Sequence, residues 1–185
     1  MRALKIILLS IVGFLPTLAP AEERAIQVLM NDYWTAWTNG DFEKAAKFIL
    51  RGDLKDARAS LLPVFIEAQN RTSNDTTEIL ATFFGEARNG DRASLSKEEV
   101  FIGLNRVIST ALADSFDLLS RTTTSITDVT FHNENSAILR YTMLLDGDAL
   151  AEDFERAVRI NGEWFLRLKE DPKITASKFE MLFRE

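Results

Sequence analysis

The residues of this 185-residue chain that could do chemistry are few, and three arginines stand out among them. "FERAVRI" and "EWFLRL" flank Asn161-Gly162, the pair that most favours a two-residue type I′ hairpin turn. Such a turn fixes register, so Ile160 should face Glu163, Val158 should face Phe165 and Arg156 should face Arg167. Phe154, Val158, Ile160 and Phe165 share the face of Arg156 and Arg167, and like charges set opposite one another are destabilising unless something negative separates them. On the preceding strand Arg140 shares a face with Ile138, Thr142 and Leu144. If these faces coincide and point inward, two or three guanidiniums meet an apolar pocket and can hold a carboxylate or phosphate through bidentate contacts. If they point outward, the arginines pair with Glu155, Glu163 or helix carboxylates, and each exposed pair contributes about 0–1 kcal/mol.

Other candidates are weaker. His132 and Asp128 lie four apart near a strand end, so they share a face, but their side chains are ~13 Å apart, too far for a hydrogen bond. Beside the turn "NENS", the histidine reads as a solvated turn residue. Asp53 and Asp56 fall on a polar helical face. Arg159 and Trp164 oppose each other on the second face of the hairpin, where a cation–π contact is expected. With Leu166 and Leu168, Trp164 would form an exposed apolar patch, the expected interface of a homodimer.

Composition removes whole classes of function. The chain has no cysteine and one histidine, which excludes disulfides, thiol catalysis and cysteine- or histidine-rich metal sites, so neither metal nor cofactor is expected. Arg2 and Lys5 precede an apolar run from Ile6 to Leu15, and Ala19-Pro20-Ala21 offers a small-x-small cleavage site. The run is too short to span a bilayer of ~30 Å, which needs ~20 apolar residues, so residues 1–21 read as a signal peptide and the product as periplasmic or secreted. Removing Arg2 and Lys5 leaves 20 basic against 28 acidic side chains, a net charge of −8. Such a chain lacks the basic footprint that nucleic acid requires.

The elements that must position these residues follow from hydrophobic period. Ile26, Met30, Tyr33 and Trp37 recur at helical spacing with Leu29 and Trp34 beside them, Asn39-Gly40 stops that helix, and Asp41 caps a short second one, "FEKAAKFI". Residues 53–69 and 75–88 also read as helical, with Asp53 and Asp75 as caps and Pro63 beginning or kinking a helix. Ser96 and Glu99 form a capping box that introduces a long helix to about Leu119. After Arg121 the pattern becomes β, with "SITDVTF" and "AILRYTMLL" joined by "HNENS", then the arginine-bearing hairpin, and last a helical "KFEMLF". Residues 22–185 read as one domain.

Helix 1 ending in "YWTAWTNGDFEKAAKFI", the capped "SKEEVFIGL" and the strands ending in "AVRINGEWFLRL" resemble the NTF2-like superfamily over residues 23–50 and 94–170. The resemblance implies an α+β cone, N-terminal helices packed on a curved antiparallel sheet, with residues 51–93 as an extra helical segment. It also implies an apolar pocket partly lined by helix 1, hence by Tyr33 and Trp37. Tyr33 stands eight residues before Asp41, as a tyrosine does in the ketosteroid-isomerase-like branch, but the position of that branch's general base, sixteen residues further on, is Ala57. The expectation is therefore an exported, non-catalytic binding or interaction module, with Tyr33, Trp37, Arg140, Arg156 and Arg167 holding a small amphipathic anion in the cone. Arg159, Trp164 and Leu166 would supply the interface. The alternatives are an isomerase- or dehydratase-like enzyme using the same cavity and a cell-envelope accessory protein acting through its sheet face.

Overall fold

The computed structural model describes residues 19–70, 74–85 and 91–184, so most of the expected signal peptide, residues 1–21, lies outside it. Among the described residues seven α-helices precede, pack on and follow a four-stranded antiparallel sheet, an α+β architecture. No helix among them is long and apolar enough to cross a membrane.

Helix α1, Ala19–Thr38, runs across one face of the sheet. Its stripe buries Ile26, Met30 and Ala36, with Leu29, Tyr33, Trp34 and Trp37 packed around them. The chain turns at Asn39-Gly40, and the Asp41 side chain accepts from the Lys44 N–H to cap α2, Phe42–Lys47. Helix α3, Arg51–Ala68, starts two residues before the expected cap at Asp53 and carries Pro63 in its interior. Helix α4 covers Asn74–Phe84, and the side chain of the expected cap Asp75 lies outside the described ones. The capping box forms as expected: Ser96 accepts from the Glu99 N–H while Glu99 accepts from the Ser96 N–H at 2.7 Å. The helix it opens stops sooner than its pattern predicts, at Ala111, and a second helix, α6, Ala113–Ser120, follows a break at Leu112; the first is α5, Lys97–Ala111.

The sheet is a meander, β1 Thr122–Asn133, β2 Ser136–Leu145, β3 Asp148–Ile160 and β4 Glu163–Leu166, in the order β1-β2-β3-β4. Asn161 and Gly162 have φ of 52° and 88°, the positive pair a type I′ turn needs, and Ile160↔Glu163, Val158↔Phe165 and Arg159↔Trp164 pair in the expected register. The ladder ends at Ala157↔Leu166, and the Arg167 N–H donates to the Arg156 carbonyl at 2.8 Å just beyond it. Residues 48–50 flank β4 on its other side, Leu50 N–H donating to the Leu166 carbonyl and Leu166 N–H to that of Phe48, both at 2.9 Å. Helix α7, Pro172–Leu182, closes the chain.

Two cores result. One lies between α1, α2 and the sheet and holds Leu139, Tyr141, Ala157, Trp164 and Leu166. The other joins α3, α4, α5 and α7 around Phe65, which stacks on Phe83 with ring centroids 3.7 Å apart. Leu168 touches both. Gly103 is where α5 meets α4, since a Cβ there would stand 2.4 Å from the Phe83 carbonyl oxygen.

Candidate functional site

Which face of the sheet meets the helices decides the site, and it is the opposite of the one the arginines would need. Alternation along β2 buries Ala137, Leu139 and Tyr141 and leaves Arg140 exposed, and the register places Arg140 beside Asp128 and Phe154 on the outer face. Arg156 follows Phe154 on that face, where Phe154 is 50% and Ile160 48% exposed. The expected inward set Arg140, Arg156 and Arg167 therefore does not line the cone. Conversely, Trp164 and Leu166, expected outside as an interface, keep only 8% and 1% of their surface exposed. Arg159 and Trp164 are joined through α1 rather than stacked for a partner: Glu22 accepts from the Trp164 Nε1–H at 2.6 Å and pairs with Arg159 at 3.0 Å. Ala137 and Ala157 are buried on this face in the same core as Ile26 and Met30 of α1.

Arg156 and Arg167 do meet, in a groove of about 430 Å³ between α3, the end of β4 and the start of α7. The groove also holds Asp53, Asp56, Glu170, Asp171 and Lys173, so its carboxylates outnumber its cations. The largely buried Asp53 accepts twice from Arg167 Nε, at 3.0 and 2.8 Å, and once from the Leu168 N–H at 2.9 Å. That hydrogen bond holds the Arg167 guanidinium above its ordinary pKa. Arg156 donates to the Leu168 carbonyl at 3.3 Å. Asp53 is thus a clasp tying α3 to the strand end, and the positive charge expected to bind an anion is largely met within the protein. Asp128 accepts from Thr130 Oγ1 at 2.7 Å, and His132 is exposed, so those two form no acid–base pair.

The inner face carries the stronger cluster. Tyr33 from α1, Tyr141 from β2, and Asp153 and Glu155 from β3 converge there, with Lys169 from the segment after β4. Tyr141 pairs directly with Asp153 and Leu139 with Glu155 across β2 and β3. Trp34 packs on Tyr141 at 6.4 Å and on Trp37 at 6.0 Å, and both indoles are fixed by hydrogen bonds, Trp34 to the Thr122 carbonyl at 3.2 Å and Trp37 to Asn105 Oδ1 at 2.7 Å. Asn105 is itself oriented by donating to the Phe101 carbonyl at 2.8 Å.

Electrostatics divide this cluster. Burial pushes the Glu155 carboxyl up to about 7, with Asp153 adding to the rise while Lys169 and Arg156 oppose it. Burial also works to raise Asp153, but hydrogen bonds from Lys169, the Phe154 N–H and Tyr141 outweigh it and hold that carboxyl below its usual range. Both tyrosines are raised, first by burial and then by the Glu155 charge. Asp153 is thus a fixed anion bound to Lys169, whereas Glu155 exchanges its proton near neutrality. No protein-family model, curated protein or solved structure matches the chain.

Four members of this cluster, Tyr141, Asp153, Glu155 and Lys169, carry no motif, but register could have found Asp153 and Glu155. Extending Arg159↔Trp164 and Ala157↔Leu166 upstream puts Glu155 and Asp153 on the face of Trp164. Among the described residues no group of three or more His, Cys, Asp or Glu could hold a metal ion.

Proposed function

We propose that this protein is an exported, NTF2-like binding module that takes a small amphipathic molecule against the inner face of its sheet. The observation that carries the reading is the convergence of Tyr33, Tyr141 and the partly buried Glu155 beside the indoles of Trp34 and Trp37. Aromatic walls with a few convergent polar groups and one perturbed carboxyl are what small-molecule sites share. Native mass spectrometry of the chain purified without detergent, with its denatured mass beside it, tests this. A retained small molecule, released by denaturation and lost in Tyr33→Ala, supports the site; an empty protein whose tryptophan fluorescence ignores amphipathic probes of every charge removes it.

A second reading is an acid–base enzyme at the same cluster, favoured by a carboxyl that is half ionised near pH 7. It requires that Glu155→Gln abolish turnover while leaving binding in place. The sheet's outer face, with Phe154 and Ile160 exposed beside Val158 and Phe165, is the surface we assign to a homodimer, which Phe154→Glu would dissociate in sedimentation.

A further inference from the structure

We infer that Asn161 is a site of spontaneous modification, where the folded chain converts the turn asparagine to aspartate and isoaspartate, and that the isoaspartate form loosens the anchor of α1. The inference is independent of the inner-face reading, since it uses no residue of that cluster. In the reaction the Gly162 backbone nitrogen attacks the carbonyl carbon of the Asn161 side chain and a C–N bond forms. The peptide N–H proton passes to the departing amide nitrogen, which leaves as ammonia. Water then opens the succinimide ring at one carbonyl or the other, giving aspartate or isoaspartate without any change of oxidation state. Glycine favours the step because it has no Cβ to restrict the backbone or block the approach.

Two Asn-Gly pairs lie among the described residues, and their hydrogen bonds separate them; a third, Asn89-Gly90, lies outside. Space is not the difference, since both pairs are exposed and a Cβ added at either glycine would meet nothing within 4 Å. At Asn39-Gly40 three consecutive N–H groups are engaged: Asn39 donates to the Thr35 carbonyl at 3.2 Å, Gly40 to that of Trp37 at 3.0 Å and Asp41 to that of Ala36 at 2.9 Å. The nitrogen that would attack is therefore held in place. At the hairpin turn the Gly162 N–H donates to no backbone carbonyl among the described residues, so the nucleophile is free. Strand β4 is only four residues long, and the turn can flex without unfolding the sheet. One backbone hydrogen bond fewer to break favours Asn161 over Asn39 by about fivefold.

The two products act differently on the fold. Aspartate keeps the length of the main chain, and Asp-Gly favours the same type I′ turn. Isoaspartate places an extra carbon in the main chain, which a two-residue turn does not accommodate, so the pair Ile160↔Glu163 beside it is put out of register. A short path leads from there to α1. Arg159 Nε donates to the Gly162 carbonyl at 3.2 Å, and the same guanidinium pairs at 3.0 Å with Glu22, which also accepts from the Trp164 indole.

The test ages the purified full chain at mildly alkaline pH, in buffer and in guanidinium chloride, and follows the masses of the tryptic peptides 160–167 and 25–44 over time. The expected result is that both pairs convert alike in denaturant, whereas in buffer Asn161 converts about fivefold faster than Asn39. The isoaspartate form, separated by chromatography, should exchange the amides of residues 22–30 faster than unaged protein, while Asn161→Asp should match the parent. Equal conversion at the two pairs in buffer, or faster conversion at Asn39, overturns the assignment. So does an Asn161 that stays intact in buffer while the denatured sample converts. Unchanged exchange over residues 22–30 in the isoaspartate form overturns the link to α1.

Discussion

Replacing Glu155 with glutamine removes one titration, and the sign of the effect follows from where that titration sits. Burial raises the carboxyl from its usual 4.5 to about 7, so between those values the folded chain holds a proton that the unfolded chain has released. The stability this group contributes is therefore complete below about pH 4.5, declines as pH rises through the window, and levels off above pH 7. At about 1.4 kcal/mol for each pH unit the window corresponds to about 3 kcal/mol. Because Glu155 is only partly buried, solvent screening brings the measurable share to about 2 kcal/mol. Glutamine matches the protonated acid in shape and never ionises, so Glu155→Gln should equal the parent near pH 4.5 and exceed it by about 2 kcal/mol near pH 8. Urea unfolding followed by tryptophan fluorescence at both pH values reads this directly, and taking the difference between the two proteins cancels every other carboxylate. Parallel stability–pH curves for parent and variant would refute the burial of this carboxyl and, with it, the electrostatic account of the cluster.

Three further perturbations test the frame around the site. Asp53→Ala leaves the Leu168 N–H without its acceptor and Arg167 without its partner; as Arg167 is 40% exposed, most of the loss comes from the N–H, about 2–3 kcal/mol in all by chemical denaturation. Gly103→Ala drives a Cβ to 2.4 Å from the Phe83 carbonyl oxygen, so α4 and α5 must separate, and a loss of about 2–3 kcal/mol is expected in a thermal melt. Ser96→Ala removes the capping box of α5 and should lower stability by about 1 kcal/mol, with hydrogen exchange accelerated at the first turn of that helix rather than along its length.

Local signals in the sequence were the ones that translated into structure. The Asp41 cap, the Ser96–Glu99 box and the Asn161-Gly162 turn each need only neighbours within a few residues, and each forms as expected. The packing of helices on an antiparallel sheet also forms as expected, but which face of the sheet they cover does not. Both faces of the β3–β4 hairpin carry apolar residues, Phe154, Val158, Ile160 and Phe165 on one and Ala157, Trp164 and Leu166 on the other, so alternation gives the register without saying which face is covered. The helix–sheet core covers the face with the alanines. That arrangement moved the arginines outward and brought Glu155 inward, which inverted the expected charge of the site. The break at Leu112 had no proline or glycine to announce it, and Pro63 was accommodated within α3.

Strand β3 is longer than β4, and among the described residues its segment Asp148–Arg156 has no strand partner on the side away from β2, only the backbone bond from Arg167 and side-chain contacts with Leu168 and Lys169. An unpaired strand edge is a template for another chain, yet this one is obstructed at several points. The Asp153 side chain accepts from the Phe154 N–H at 2.8 Å, removing a donor that a new strand would need. A bulge at Leu150 breaks the even spacing, and Asp148 and Glu152 add like charge to the edge. The arrangement that keeps Asp153 ionised beside Lys169 thus also disfavours edge-to-edge pairing with another strand. Because its hydrogen bonds hold Asp153 below the usual carboxylate range, this obstruction should outlast the charges of ordinary carboxylates as pH falls.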